Sequence, residues 1–286
     1  MSELDGREKE KPPARRNADL GVRIASSAVL LPLALACAWF GSWPTYGLVA
    51  IGATVVFCEW ALVVDCSPTL VPRTPAVVTG AVFAGLAGLI AGSAGAAAGC
   101  VVALAGLVGV LALSRSGWLT AGSLYAAALA IPMPAIRADA ELGLAALIVL
   151  LVVVWATDSF AFFAGRSIGG PKLWPRISPK KTWSGSIGGL IGGVASGLVA
   201  ASLFGVPLSF GLALLLVVLS MASQAGDLFE SAVKRRFAKK DSSGIIPGHG
   251  GMMDRVDGLV FAGALALFVG WLHGGGDAIA AGVLIW

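Results

Sequence analysis

The chain has 286 residues, of which 57% are hydrophobic and only 13% charged, with a formal net charge of +4. Soluble domains carry about 25% charged residues, and the mean hydropathy of +0.87 lies far on the apolar side. A soluble globular fold is excluded, and the composition predicts an all-α polytopic integral membrane protein built as one membrane domain.

In chain order, residues 1–20 are charged, hold two prolines and lack any apolar period, which predicts a disordered cytoplasmic tail. No small-residue cleavage site follows, so the first apolar run is read as a retained span. Spans of about 20 apolar residues then follow at Ile24 to Trp43 and Tyr46 to Val64. Residues 76–113 form an uncharged run too long for one span, and the small-residue break at 91–95 divides it into two. Further spans are read at 118–136, 142–164, 185–205, 207–226 and 258–273, the last with an apolar tail to Trp286 that can prolong it. The total is about nine. N-terminal transmembrane helices occupy 21–137, and a C-terminal transmembrane catalytic region occupies 138–286.

Charge placement orients these spans. With nine spans and the N-terminus in the cytoplasm, every one of the 20 Lys and Arg residues except Arg137 lies on the inner side, as the positive-inside rule requires. The two basic loops, 165–184 and 227–257, then share the cytoplasmic face. Cys37, Cys58, Cys66 and Cys100 lie in or beside apolar segments without metal-site spacing and are read as small apolar fillers. Gly185, Gly189, Gly193 and Gly197 recur every four residues, a ladder that lets helices approach closely.

Ionisable groups within spans are costly and mark candidate sites. Glu59 and Asp65 sit in and at the end of the second span, where simple charge pairing explains them equally well. Asp158 and Asp227 lie at the cytoplasmic ends of spans that open into the two basic loops. In the first loop, Ser178-Pro179-Lys180-Lys181-Thr182 reads as a rigid turn with hydroxyls flanking two lysines. It leads into a Gly-rich helix start, whose free N–H groups favour an anion, so it is a candidate phosphate cradle. A nucleotide-binding GxxxxGK[ST] loop is absent from the sequence.

The second loop is the densest polar run of the chain, KRRFAKKDSSGIIPGHGGMMDRVD over 234–257. Glu230 and Lys234 stand at i,i+4 spacing. Lys234, Arg235, Arg236, Lys239 and Lys240 supply positive charge ahead of Asp241. Gly248, Gly250 and Gly251 around His249 let the backbone approach a ligand closely. Asp254 and Asp257 are one helical turn apart, with Arg255 between them. Asp227 closes one span and Asp254 opens the next, so the returning loop can bring both carboxylates to one point. Such oxygen ligands suit Mg²⁺. Carboxylates for a metal, Lys and Arg for phosphates, and a site at the lipid–water boundary predict phosphoryl or nucleotidyl transfer. Residue chemistry alone stops at that class.

The run from Ser231 through Lys234, Arg235, Lys240, Asp241 and Pro247 to Gly251, then Asp254, Arg255 and Asp257, resembles the signature of the phosphatidate cytidylyltransferases (CDP-diacylglycerol synthases). The segments GDLFES at 226–231, SPKKTW at 178–183, and Asp158-Ser159 with Gly165-Arg166 resemble further motifs of that family. Ser184 departs from the Glu or Gln common there. The motifs cover roughly residues 155–260, and the N-terminal half resembles the family only as a set of spans.

The resemblance implies that CTP and phosphatidic acid give CDP-diacylglycerol and pyrophosphate with Mg²⁺. It implies Asp227 and Asp254 as metal ligands, and Lys180, Lys181, Lys234 and Arg235 as phosphate-neutralising groups. His249 and its neighbouring glycines would shape the nucleotide site, braced by Arg255 and Asp257. Ser178, Thr182, Lys240, Gly248, Gly250, Gly251 and Asp158 are the candidate substrate-binding residues. A homodimer in a bacterial inner membrane or an organelle membrane is implied, with no nucleic-acid partner. CTP-dependent polyprenol kinases and archaeal-lipid cytidylyltransferases are the nearest rivals. A secondary transporter fits less well, because its charges would lie near the midplane, and a scaffold leaves the in-membrane aspartates unexplained.

Overall fold

A computed structural model describes residues 28–64, 74–246 and 250–286. The expectations placed on the 1–20 tail, on 24–27, on Asp65, Cys66 and Arg73, and on Pro247, Gly248 and His249 lie outside the described residues. In hydrocarbon every backbone polar group must be satisfied within its own segment, so apolar runs of this length become helices. Eight of the described segments are long and apolar enough to cross a membrane, which makes this a multi-pass membrane protein.

Helix α1 (Ala28–Phe40) is the shorter described part of the first predicted span. Helices α2 (Ser42–Val64), α3 (Thr74–Ala94) and α4 (Ala96–Ser114) follow. The predicted break at 91–95 is realised at Gly95, whose φ of 90° only glycine adopts without strain. Helices α5 (Gly117–Ala130) and α6 (Pro132–Arg137) make one span, broken where Pro132 withholds a backbone donor. Ser116 caps α5 by accepting from the Leu119 N–H. Helix α7 (Gly143–Ile168) ends at Gly169, with φ 67°.

The next segment departs from expectation. Ser178–Thr182 is a strand, β2, paired antiparallel with β1 (Lys172–Trp174), and is not itself a turn. Thr182 then caps α8 (Trp183–Leu203), its hydroxyl accepting from the Gly185 N–H at 3.1 Å. Ser184, the position that departs from the family pattern, donates to the Gly169 carbonyl and so ties the start of α8 to the end of α7.

Helix α9 (Phe210–Arg236) does not stop at 226 as hydropathy suggested. Its 27 residues reach roughly 40 Å at 1.5 Å per residue, longer than a hydrocarbon core of about 30 Å. The final turns, with Asp227 to Arg236, are helix rather than loop. Helix α10 (Met253–Gly274) begins ahead of the apolar stretch read at 258–273, and it carries Asp254 and Asp257 one helical turn apart, as expected. The apolar tail does not prolong it. Gly275, with φ 78°, turns the chain, and α11 (Ile279–Leu284) folds back on α10. The His273 Nδ1 lies 3.1 Å from the Gly282 carbonyl, and its ring stacks on Trp286.

Two apolar cores result. One joins α2 to α5, with Phe57 and Trp60 fully buried, and the other joins α6, α7, α9 and α11 around Leu150 and Leu216. Helix α10 serves both, Val260 facing the first and Ala266 the second. Arg137, the one basic residue outside the charge pattern, is spent locally. Its Nε and Nη2 donate to the carbonyls of Ala38 and Trp39, capping the end of α1 at 2.7 and 3.2 Å.

Candidate active site

The motif segments of the two basic loops converge on one cavity of about 970 Å³. Its walls are the end of α7, the hairpin, the start of α8, the last turns of α9 and the first turn of α10. Of the residues singled out from sequence, Asp158, Lys180, Lys181, Thr182, Asp227, Lys234, Gly250, Asp254, Arg255 and Asp257 line it. Ser178, Arg235, Lys240 and Gly251 do not. Arg235 is exposed and donates to the Lys239 carbonyl at 3.3 Å, and Lys240 is exposed. Gly248 and His249 lie outside the described residues.

The cavity wall carries five cations (Arg166, Lys180, Lys181, Lys234, Arg255) against six carboxylates (Asp158, Asp227, Glu230, Asp241, Asp254, Asp257). Lys181 bridges to Asp227, linking the hairpin to α9. The Lys234 ammonium lies 2.5 Å from Glu230 Oε2 and 2.5 Å from Asp254 Oδ1. Glu230 is 1% exposed, so this lysine neutralises a carboxylate that is otherwise out of water. The i,i+4 pair read from sequence is therefore present, with a third member from α10.

Asp254 is heavily committed. Its Oδ2 accepts from the Ser242 N–H at 3.2 Å and the Gly251 N–H at 2.9 Å, and lies 3.0 Å from the Ser242 hydroxyl, whose single proton it shares with Glu59. Asp257 accepts from the Gly258 N–H at 2.8 Å. Asp227, Asp158 and Asp257 are close enough for mutual repulsion. Among the described residues no three His, Cys, Asp or Glu side chains form a ready-made metal cage.

Two features were not assigned a role from sequence. Ser186 donates to the Gln224 Oε1 at 2.5 Å and receives the Gln224 amide on its own carbonyl at 3.3 Å, both residues facing the cavity. A glutamine in an apolar span, one turn before Asp227, was the available signal. The other is Glu59, fully buried in α2. Its carboxylate accepts from the hydroxyls of Ser242 and Ser243 at 3.2 and 2.5 Å. It also accepts from the N–H groups of Met252 and Met253 at 2.9 and 2.7 Å. Helix α10 has no side-chain cap of its own, so Glu59 supplies one from the other half of the chain. Gly251 fits against this cluster: a Cβ there would collide with the Ser242 hydroxyl and lie 2.7 Å from both Glu59 oxygens.

The sequence profile of the Cytidylyltransferase family matches residues 21–273. The chain is 40% identical over 268 residues to a phosphatidate cytidylyltransferase of Brucella abortus biovar 1 (strain 9-941), covering 92% of this chain and 97% of that one. The Brucella suis biovar 1 (strain 1330) phosphatidate cytidylyltransferase is 40% identical over 257 residues, covering 88% and 93%. The Bacillus subtilis (strain 168) protein of the same name is 39% identical over 146 residues, 51% of this chain and 54% of that one. With the motif residues gathered at one cavity and the profile spanning nearly every helix, the chain belongs to the cytidylyltransferase family.

Proposed function

We propose that the chain is a phosphatidate cytidylyltransferase, transferring the cytidylyl group of CTP to phosphatidic acid. The observation that carries this reading is the meeting of the separated motif segments at one cavity at the ends of membrane helices. A water-soluble triphosphate and a membrane-anchored phosphate can meet there.

A phosphate oxygen of phosphatidate attacks the α-phosphorus of CTP. The bond from that phosphorus to the bridging oxygen breaks, and pyrophosphate leaves with the electron pair. A phosphate monoester has a second pKa of about 6, so the attacking oxygen needs no dedicated base near neutral pH. Lys180, Lys181 and Arg255 line the cavity and are the groups we assign to the phosphates. Lys234 acts beside them while holding Glu230 and Asp254. Positioning and charge neutralisation carry most of the catalysis in this chemistry.

The donor set fits a divalent cation. Six carboxylates outnumber five cations on the wall, so the side chains alone offer no net positive charge to a triphosphate. Mg²⁺ is commonly held by one or two carboxylates with the substrate phosphates completing its shell. Asp227 is suited to that part. Asp254 reaches the same cavity, and would bind a cation by exchanging it for Lys234 on Oδ1. A bound Mg²⁺ would neutralise charge on the triphosphate and the leaving pyrophosphate. We place the active site on the cytoplasmic face of the cell membrane, supported by the basic loops, and assign a homodimer on the family resemblance.

Purified protein in detergent is expected to release pyrophosphate from CTP only when phosphatidic acid and Mg²⁺ are both present, and to stop when the cation is chelated. Equal turnover with a polyprenol and no phosphatidate would reject this reading. Full turnover in excess chelator would reject the metal assignment.

A further inference from the structure

We infer that Glu59 is a positioning residue for the reaction, clamping both ends of the 242–253 segment and so presenting the first turn of α10 to the cavity. The inference rests on the cytidylyl-transfer reading for its effect on turnover, and on geometry alone for its effect on the loop.

Glu59 is 0% exposed, in the last two turns of the apolar helix α2, and a buried carboxylate is costly unless its oxygens are fully used. They are met by three unshared donors and by the Ser242 hydroxyl, which is shared with Asp254, and none belongs to α2 or to its neighbours α3 and α5. Two are the hydroxyls of Ser242 and Ser243, a few residues past the end of α9 at Arg236. Two are the N–H groups of Met252 and Met253, where it enters α10. One side chain thus pins both ends of the turn that carries Gly250 and Gly251. The Ser242 hydroxyl also faces Asp254 Oδ2, so Glu59 and Asp254 share a contact. Packing of the α2 core needs no carboxylate, because Phe57, Trp60 and Ala61 beside it are already buried among apolar groups. What needs it is the loop: without Glu59, two N–H groups at the start of α10 lose their acceptor, and Asp254, Arg255 and Asp257 lose their fixed placement.

The test compares Glu59→Gln and Glu59→Ala with the parent and with Thr54→Ala. Thr54 lies on the same helix, its hydroxyl within reach of the Ala50 carbonyl at 2.9 Å and the Ala81 carbonyl at 3.2 Å, away from the loop. A displacement of 1 Å can cost about 10²-fold in rate, so Glu59→Ala is expected to lower kcat about a hundredfold. Glu59→Gln, which keeps one carbonyl acceptor, should lie between it and the parent. Amide exchange at Met252 and Met253 should accelerate at least tenfold in both variants, while amides of 153–164 in α7 stay as in the parent. Thr54→Ala should change neither. The inference is overturned if both Glu59 variants keep kcat within threefold of the parent. It is equally overturned if exchange rises as much in α7 as at the loop, which marks general loosening. If Glu59→Ala does not fold, Glu59→Gln decides by the same criteria. If the parent does not turn over CTP with phosphatidate, the reaction assignment falls, and the exchange measurement alone decides whether Glu59 holds the loop.

Discussion

Replacing Lys234 by methionine offers a quantitative test of the cavity's charge balance. The ammonium stands 2.5 Å from carboxylate oxygens on both sides, and the three side chains are 12%, 1% and 10% exposed for Lys234, Glu230 and Asp254. Methionine keeps most of the stem and its packing but leaves two carboxylates facing each other with little water. Removing one partner of a buried ion pair costs about 3–5 kcal/mol, because the desolvation of the other is no longer offset. Lys234→Met should therefore lose about that much stability in mixed-micelle unfolding, together with its turnover. Adding Glu230→Gln removes one of the two stranded charges. The double variant should recover about half the loss, roughly 2 kcal/mol, without recovering activity. A loss below about 1 kcal/mol, the range of exposed pairs, would refute the reasoning, as would a double variant no more stable than the single one.

Thr182→Ala removes the side-chain cap of α8 and should cost about 1 kcal/mol, read by the same unfolding measurement. Gly189→Ala places a Cβ 2.7 Å from the Thr157 carbonyl oxygen of α7, and overpacking of this kind costs about 1–3 kcal/mol. Gly52→Ala, where nothing lies within 4 Å of the new Cβ, should instead be neutral or stabilising by up to about 1 kcal/mol. Thermal midpoints in detergent separate these two glycines, and equal effects would show that the ladder has no special packing role.

The helical membrane body was legible because hydropathy reports burial in lipid directly. The α3–α4 break could be placed because the uncharged run 76–113 is too long for one span and holds the small residues 91–95, and the structure turns at Gly95 with a positive φ. The ends of α9 and α10 were misjudged because hydropathy falls at Asp227 while helix propensity does not. The segment LFESAVKRR contains good helix formers and an i,i+4 Glu–Lys pair, so the helix continues beyond the apolar part. The hairpin escaped notice because two strands of three and five residues containing Pro179 carry almost no alternation. Most of the cavity-lining residues were identified since they lie in the motif segments. Glu59 was suspected but not connected, because its partners lie more than 180 residues further along the chain, and spacing rules reach only one or two helical turns.

The glycines of α8 bring its backbone against α7, where a Cβ at Gly185 would lie 2.8 Å from the Ala161 carbonyl oxygen. At the other wall, a Cβ at Gly226 of α9 would meet the Asp257 backbone and approach the Gly258 Cα to 3.2 Å. The cavity thus lies between two helix pairs, each too closely seated to slide. Besides the apolar core around Leu150 and Leu216, a column of polar side-chain ties along one face of α9 joins them: Ser220 to Thr157, Gln224 to Ser186, and Asp227 to Lys181. Such ties can be exchanged one at a time, from the solvent end inward, whereas backbone seats cannot. Along that column exposure rises from the fully buried Ser220–Thr157 pair to the Lys181–Asp227 pair, whose side chains are 26% and 30% exposed, so water reaches the ties in the reverse order of their depth.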